Sequence, residues 1–313
     1  MDAFLDAIRS FLDGLTSIAW ASLGLAIVCH LGRIASRTRA WRNIVAAAYP
    51  GTEVRWRDML GAYAAGIGAN AILPGRGGDL LRLYIAKHRV EGSTYPTLGA
   101  TLLAETIFDT ALGLLLLSWA LGAGVLPGLG VLPDLPGIDW LWAFHNPQAA
   151  AGILFLALVV ATVLAITGVG KITAFWGRVR QGLAIVREPR RYLREVAAWQ
   201  ALDWVFRLTA IFFFLRAFGL PADAYNVFAV QVAQTLSTLL PLTPAGIGTE
   251  QALLVYVLSG AASASDVLSF SVGVKLVVIV VNVTLGTIAT FVLLGTTRWR
   301  DHVAKDAEAA ERV

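Results

Sequence analysis

Residues 70–82 read NAILPGRGGDLLR, and residues 240–250 read LPLTPAGIGTE. Each holds the end of an apolar run, a proline, a glycine-rich turn and a carboxylate, Asp79 or Glu250, before a second short run. Proline removes an amide donor and glycine admits positive φ, so a helix entering either stretch has to stop and restart. Pro74, Gly75, Gly77 and Gly78 make the first turn; Pro244, Gly246 and Gly248 make the second. The apolar runs before them, about 58–73 and 226–241, are short for a membrane crossing, which takes about 20 apolar residues. Two helical hairpins are expected, over 58–90 and 226–258.

The rest of the chain makes lipid the solvent. Of 313 residues, 57% are hydrophobic and 15% charged, against about 45–50% and 25% in soluble domains. Mean hydropathy is +0.68. Five further apolar segments, about 15–31, 96–121, 148–168, 196–218 and 265–295, predict five full spans. The first is no signal peptide, because Asp2, Asp6 and Asp13 precede it instead of a basic region. Lysine and arginine then set the orientation. Arginines at 33, 37, 39, 42, 55 and 57 crowd 32–57, and further basic residues fill 76–89, 171–194 and the tail after 297. The stretches 122–147, 219–225 and 259–266 hold none. With basic loops cytoplasmic, both ends of hairpin 58–90 lie inside and both ends of hairpin 226–258 lie outside. Each hairpin must enter and return, from opposite faces, with the N-terminus outside and the C-terminus inside. The expected fold is therefore an all-α polytopic membrane protein of the cytoplasmic membrane, with about five spans and two oppositely oriented re-entrant hairpins, the pattern of inverted-repeat transporters. The basic charge reads as a topology signal with anionic lipid headgroups as neighbours, and nucleic acid is not an expected partner.

Residues 1–14 form an outer segment, 15–297 one transmembrane domain and 298–313 a cytoplasmic tail. Within the domain, Ile172, Phe175, Trp176, Val179, Leu183 and Val186 recur at helical spacing among arginines. They predict an interfacial cytoplasmic helix over 171–188. Trp20, Trp56, Trp119, Trp199 and Trp299 sit at segment ends, as an interfacial belt requires.

Ionisable residues at membrane depth cost roughly 2.5–3.5 kcal/mol each on insertion scales, and so mark candidate function. Glu105 and Asp109 lie four apart on one helix face and repel unless paired or protonated. Asp203 and Arg207, also four apart and opposite in sign, predict a structural ion pair. Lys275 has no local acid and needs Glu105, Asp109 or Glu250 from another segment. Half-helices restarting at Asp79 and Glu250 would turn amide N–H groups toward an anion, with Arg76 and Arg82 adding charge. The carboxylates also suit helix starts as caps. Asn70, Gln231, Gln234 and Asn282 fall in apolar runs as cavity lining or interhelical hydrogen bonds. The candidate substrate-binding set is Asn70, Arg76, Asp79, Arg82, Glu105, Asp109, Glu250 and Lys275. The lone Cys29 and four scattered histidines give no metal-ligand spacing, and no nucleotide or catalytic motif appears. No metal, cofactor or enzymatic activity is expected.

These motifs carry a resemblance. NAILPGRGGDLLR resembles the LPGRxGExxR signature of the lysylphosphatidylglycerol synthase transmembrane family, also called flippase-like domain proteins. Glu105–Asp109 is similar to that family's ERxxD motif, Pro244–Glu250 to its PGGxGxxE turn, and Lys275 falls where a late span tends to be basic. The resemblance covers about residues 20–297. Thr106 stands where the family pattern has arginine, which leaves Glu105 and Asp109 without that neighbour and makes Arg76 or Lys275 the expected partner. One helix usually found before the arginine-rich loop is missing, in keeping with an outside N-terminus. Larger relatives carry an aminoacyl-transferase domain that these 313 residues do not, so synthase activity is not implied. The resemblance implies a lipid flippase for a phospholipid or a polyprenyl-phosphate-linked lipid. Arg76, Arg82 and Lys275 would hold a phosphate, and Asp79, Glu105, Asp109 and Glu250 would counter-charge the site or couple protons. The alternatives are a non-transporting partner of an envelope-lipid synthesis complex and a membrane-embedded lipid-processing enzyme. Membrane lipids, a second copy of the chain and envelope-lipid synthesis proteins are the expected partners.

Overall fold

The computed structural model describes residues 18–73, 77–123, 173–239 and 248–294. The expected span 148–168, the outer segment 1–14, the tail 298–313 and the turn residues Pro74, Gly75, Arg76, Pro244 and Gly246 lie outside the described residues.

The described residues are helical and contain no strand. The helices are α1 (Trp20–Ala48), α2 (Trp56–Ile72), α3 (Gly77–Arg89), α4 (Tyr95–Gly122), α5 (173–182), α6 (Pro189–Ala217), α7 (Ala224–Leu239), α8 (Thr249–Val257) and α9 (Ala264–Leu294). Among them, α4, α6 and α9 are long and apolar enough to cross a membrane, over Tyr95–Ala120, Pro189–Ala217 and Ala264–Leu293.

The first apolar segment, from Trp20, and the arginine-rich stretch after it as far as Ala48 prove to be one helix. Charge marks a membrane face without breaking a helix. Trp20–Ala48 contains no proline, and arginine, alanine and leucine are all good helix formers. Its Gly32 serves packing: a Cβ there would lie 2.9 Å from the Phe206 ring of α6. Residues 33–42 are therefore carried on α1 in helical register, which changes what their arginines can reach.

Two apolar cores share α1. Trp41 of α1 packs with Met59, Leu81, Ile85 and Leu98 of α2, α3 and α4. Leu23 of α1 packs with Phe214, Leu254 and Phe270 of α6, α8 and α9. The most extensive helix contact is α1 on α6, followed by α9 on α2 and by α2 on α3. The α2–α9 crossing is tight because Gly68 meets Gly286; a Cβ on Gly68 would lie 2.7 Å from both the Gly286 Cα and the Asn282 carbonyl oxygen. α7 packs on α8 and also on α4. Each half thus joins one long helix (α1 or α6), a broken pair (α2–α3 or α7–α8) and a long apolar helix (α4 or α9). In each half the broken pair also packs on the other half's apolar helix.

α5 occupies most of the expected interfacial segment, which ends in a short helical turn over Ala184–Arg187. Its end is docked: the Gln181 amide donates to the Ala48 carbonyl at 2.8 Å. Ile185 is fully buried. Phe175 and Trp176 stay exposed.

Candidate functional site

Three helices each carry two ionisable residues four apart, and hence on one face. They are Arg33 and Arg37 on α1, Glu105 and Asp109 on α4, and Asp203 and Arg207 on α6. The faces meet. Arg37 Nε lies 2.8 Å from Glu105, its Nη2 2.6 Å from Asp109 and its Nη1 3.5 Å from Asp203. Asp203 is fully buried, 3.3 Å from Arg33 and 3.6 Å from Arg207. Arg82 of α3 reaches the other oxygen of Glu105 at 2.7 Å. Neutral donors add to the carboxylates: Trp204 Nε1 donates to Asp109 at 2.9 Å. Gln200 fixes the backbone beside them by donating to the Glu105 carbonyl at 2.6 Å.

These contacts bear on two expectations. Among the described residues the cation between Glu105 and Asp109 is Arg37; Lys275 pairs with Glu250 instead, and Arg76 lies outside the described residues. The expected Asp203–Arg207 pair forms, at 3.6 Å, and Asp203 also lies 3.3 Å from Arg33. The signal for Arg37 was present in the sequence, in the four-residue spacing from Arg33 that matches the other two pairs. It was masked because arginines beside a span read first as membrane topology.

Burying charge is tolerable only with close partners. Among the described residues the linked network holds four guanidinium groups, Arg33, Arg37, Arg82 and Arg207, against three carboxylates, Glu105, Asp109 and Asp203. Its formal charge is thus one positive in excess. Arg82 is not where that excess is available. Its guanidinium lies 3.8 Å from the Trp41 ring centre and 4.6 Å from that of Tyr63, and the side chain is buried. Arg207 is the open end. Its Nε, like that of Arg82, lacks a hydrogen-bond partner, and it too lies over a ring, 4.7 Å from the centre of Trp204, but it borders a cavity and Arg82 does not.

That cavity measures about 400 Å³. Its polar end holds His30, Arg33, Asp109, Arg207, Gln231 and Gln234. Its apolar walls include Ile211, Phe214, Val230, Phe270 and Val274. It lies where α1, α4, α6, α7 and α9 converge. Gln231 is buried with its amide oxygen unpartnered. His30, one of the four scattered histidines, is buried and shares a 2.9 Å hydrogen bond with Asn282 of α9. Nothing in its spacing marked it.

Of the sequence-derived set, Arg82, Glu105 and Asp109 meet in the network, and among the described residues of that set only Asp109 borders the cavity. Asn70 and Asp79 act at the first break. The Gly78 amide donates to Asn70 Oδ1 at 2.7 Å, and Asn70 Nδ2 donates to Asp79 Oδ1 at 3.1 Å, stitching α2 to α3. A Cβ on Gly78 would collide with the Gly66 carbonyl and Asn70, so this close approach requires glycine. Gly77 is not so crowded. At the second break Gly248 has φ +92° and donates its amide to Gln251 at 2.7 Å. Lys275 and Glu250 pair at 3.3 Å, linking α9 to α8. The Arg82–Glu105 contact links α3 to α4 in the same way with the signs exchanged. Among the described residues no group of three His, Cys, Asp or Glu could hold a metal.

The family model described as the lysylphosphatidylglycerol synthase TM region matches residues 3–286. No curated protein and no solved structure matches the chain.

Proposed function

This chain belongs to the lysylphosphatidylglycerol synthase transmembrane family, a membrane domain related to lipid handling, and we propose that it is a lipid flippase of the cytoplasmic membrane. The observation that carries the reading is the cavity: an excess positive charge at one end and aromatic and aliphatic walls along the rest. A lipid has the matching polarity. Its phosphate would replace the missing counter-charge at Arg207 and Arg33, where guanidinium groups bind phosphate in two-point fashion. Gln231 and Gln234 would bond the remaining headgroup, and the chains would leave along Phe214, Phe270 and Val274.

The two broken helix pairs are re-entrant hairpins of an inverted repeat in this reading. The shared α1–α6 contact and the crossed packing of each pair on the other half's apolar helix support it. Rocking one half against the other about α1–α6 would open the cavity to each leaflet in turn. The ion pairs Arg82–Glu105 and Glu250–Lys275 would hold each broken helix to its neighbour during the motion.

The test is leaflet-to-leaflet flux of fluorescent anionic phospholipid in proteoliposomes. Arg207→Gln removes the open cation and is expected to slow flux by about tenfold or more, the equivalent of one charged hydrogen bond. Gly113→Leu, which fills the cavity wall, should abolish flux in a folded protein. Wild-type rates in both variants would refute the assignment.

A further inference from the structure

The arginine-rich end of the molecule holds a second pocket, open and about 650 Å³, that shares no residue with the cavity. Arg39 and Arg42 enter it from two turns further along α1, and Arg57 from the first turn of α2. Arg55 and Arg89 also border it, but each has an acid. Arg55 makes a two-point pair with Glu53 at 3.0 and 3.1 Å. Arg89 lies 3.8 Å from Asp58 and donates to the Leu293 carbonyl at 2.6 Å.

The other three have no carboxylate partner among the described residues. Arg42 is aimed by neutral acceptors, donating to the Val54 carbonyl at 2.8 Å and to Asn43 at 3.3 Å. Arg39 lies 5.9 Å from the Trp199 ring centre. Arg57 is exposed. Trp56, in the same wall, has a buried indole N–H without a hydrogen-bond partner. Three uncompensated guanidinium groups facing one open pocket, one of them fixed in place by backbone, exceed what a topology signal needs.

We propose that this pocket binds a phosphomonoester or diphosphate group. A phosphodiester brings one negative charge and would leave two arginines unmatched. A phosphomonoester brings close to two at neutral pH, and a diphosphate more, with enough oxygens for several guanidinium forks. The group can belong to a membrane lipid or be free in solution, since the pocket is open.

The test uses the full chain in detergent micelles, titrated calorimetrically with sodium pyrophosphate at low salt, and the same chain in nanodiscs containing phosphatidate, a lipid phosphomonoester, and phosphatidylglycerol, a phosphodiester. Saturable pyrophosphate binding is expected, weakened about tenfold or more in Arg39→Gln/Arg57→Gln, from the loss of charged hydrogen bonds. Arg207 belongs to the cavity, which shares no residue with this pocket, so a loss of pyrophosphate affinity in Arg207→Gln that Arg39→Gln/Arg57→Gln does not show places the binding at the cavity and overturns the proposal. Enrichment of phosphatidate over phosphatidylglycerol around wild type but not the variant assigns the group to a lipid; pyrophosphate binding without that enrichment assigns it to a free phosphate. Equal affinity in wild type and variant, or neither pyrophosphate binding nor phosphatidate enrichment in wild type, overturns the proposal. Should the double variant not fold, exposed Arg57→Gln alone carries the comparison.

Discussion

Replacing Arg37 by methionine removes the cation that α1 inserts between two carboxylates of α4. Three contacts are lost, at 2.6 Å to Asp109, 2.8 Å to Glu105 and 3.5 Å to Asp203. Breaking a buried ion pair from one side costs about 3–5 kcal/mol, because the remaining charge stays buried without a partner. Glu105 retains Arg82 at 2.7 Å and Asp203 retains Arg33 at 3.3 Å, so the loss falls mainly on Asp109. The Asp109 side chain is 24% exposed and keeps the Trp204 N–H. The lower end, about 3 kcal/mol, is therefore the expected cost. Adding Asp109→Asn removes the orphaned charge and should return part of the loss, with a coupling of about 1–2 kcal/mol between the two positions. Reversible unfolding in mixed micelles, followed by tryptophan fluorescence, measures all four corners of the cycle. An Arg37→Met cost below about 0.5 kcal/mol, or additivity of the two substitutions within about 0.5 kcal/mol, would show that the network is not what joins α1 to α4.

Four further outcomes follow from single contacts. Gly68→Ala forces a methyl into the Gly286 backbone and should cost about 1–3 kcal/mol by overpacking, read as a lowered Tm in detergent. Asn70→Ala breaks the stitch between α2 and α3 and leaves the Gly78 amide unpaired; about 1–3 kcal/mol of destabilisation is expected in the same melt. Gly248→Ala places a side chain at φ +92° and should cost about 1–2 kcal/mol, while Gly77→Ala, in ordinary surroundings, should cost less. Lys275→Met leaves Glu250 without its cation and should slow lipid flux in proteoliposomes, with Lys275→Met/Glu250→Gln recovering part of the rate.

Much of the architecture was readable because it depends on short-range chemistry. Prolines and glycines at 74–78 and 241–248 must interrupt helices whatever surrounds them, and the described helices stop at Ile72 and restart at Gly77 and Thr249 accordingly. Apolar length alone marked α4, α6 and α9. The break after residue 31 was misread because positive charge reports on a membrane face and says nothing about helix continuity. The partners of the buried charges were only half readable. Spacing identified Glu105 with Asp109 and Asp203 with Arg207, but a helix face does not say which other face it meets. His30 and Gln231 show the limit most plainly: neither has a distinctive neighbour in the chain, and both are set at the cavity by helix packing.

By itself, then, the sequence determined that this chain is an all-helical membrane protein with two paired helix breaks and a few charges that apolar surroundings cannot leave alone. Composition, breakers and four-residue spacing act within one or two helical turns, so no tertiary contact is needed to read them. Only the tertiary structure decided that Arg37 joins α4 to α1 and that Arg82 is spent on Glu105, Trp41 and Tyr63. It likewise left Arg207 and Arg33 as the cations at the cavity. Which charge remains open depends on distances between helices far apart in the chain, and those are set by how closely Gly32, Gly68 and Gly286 let the helices approach.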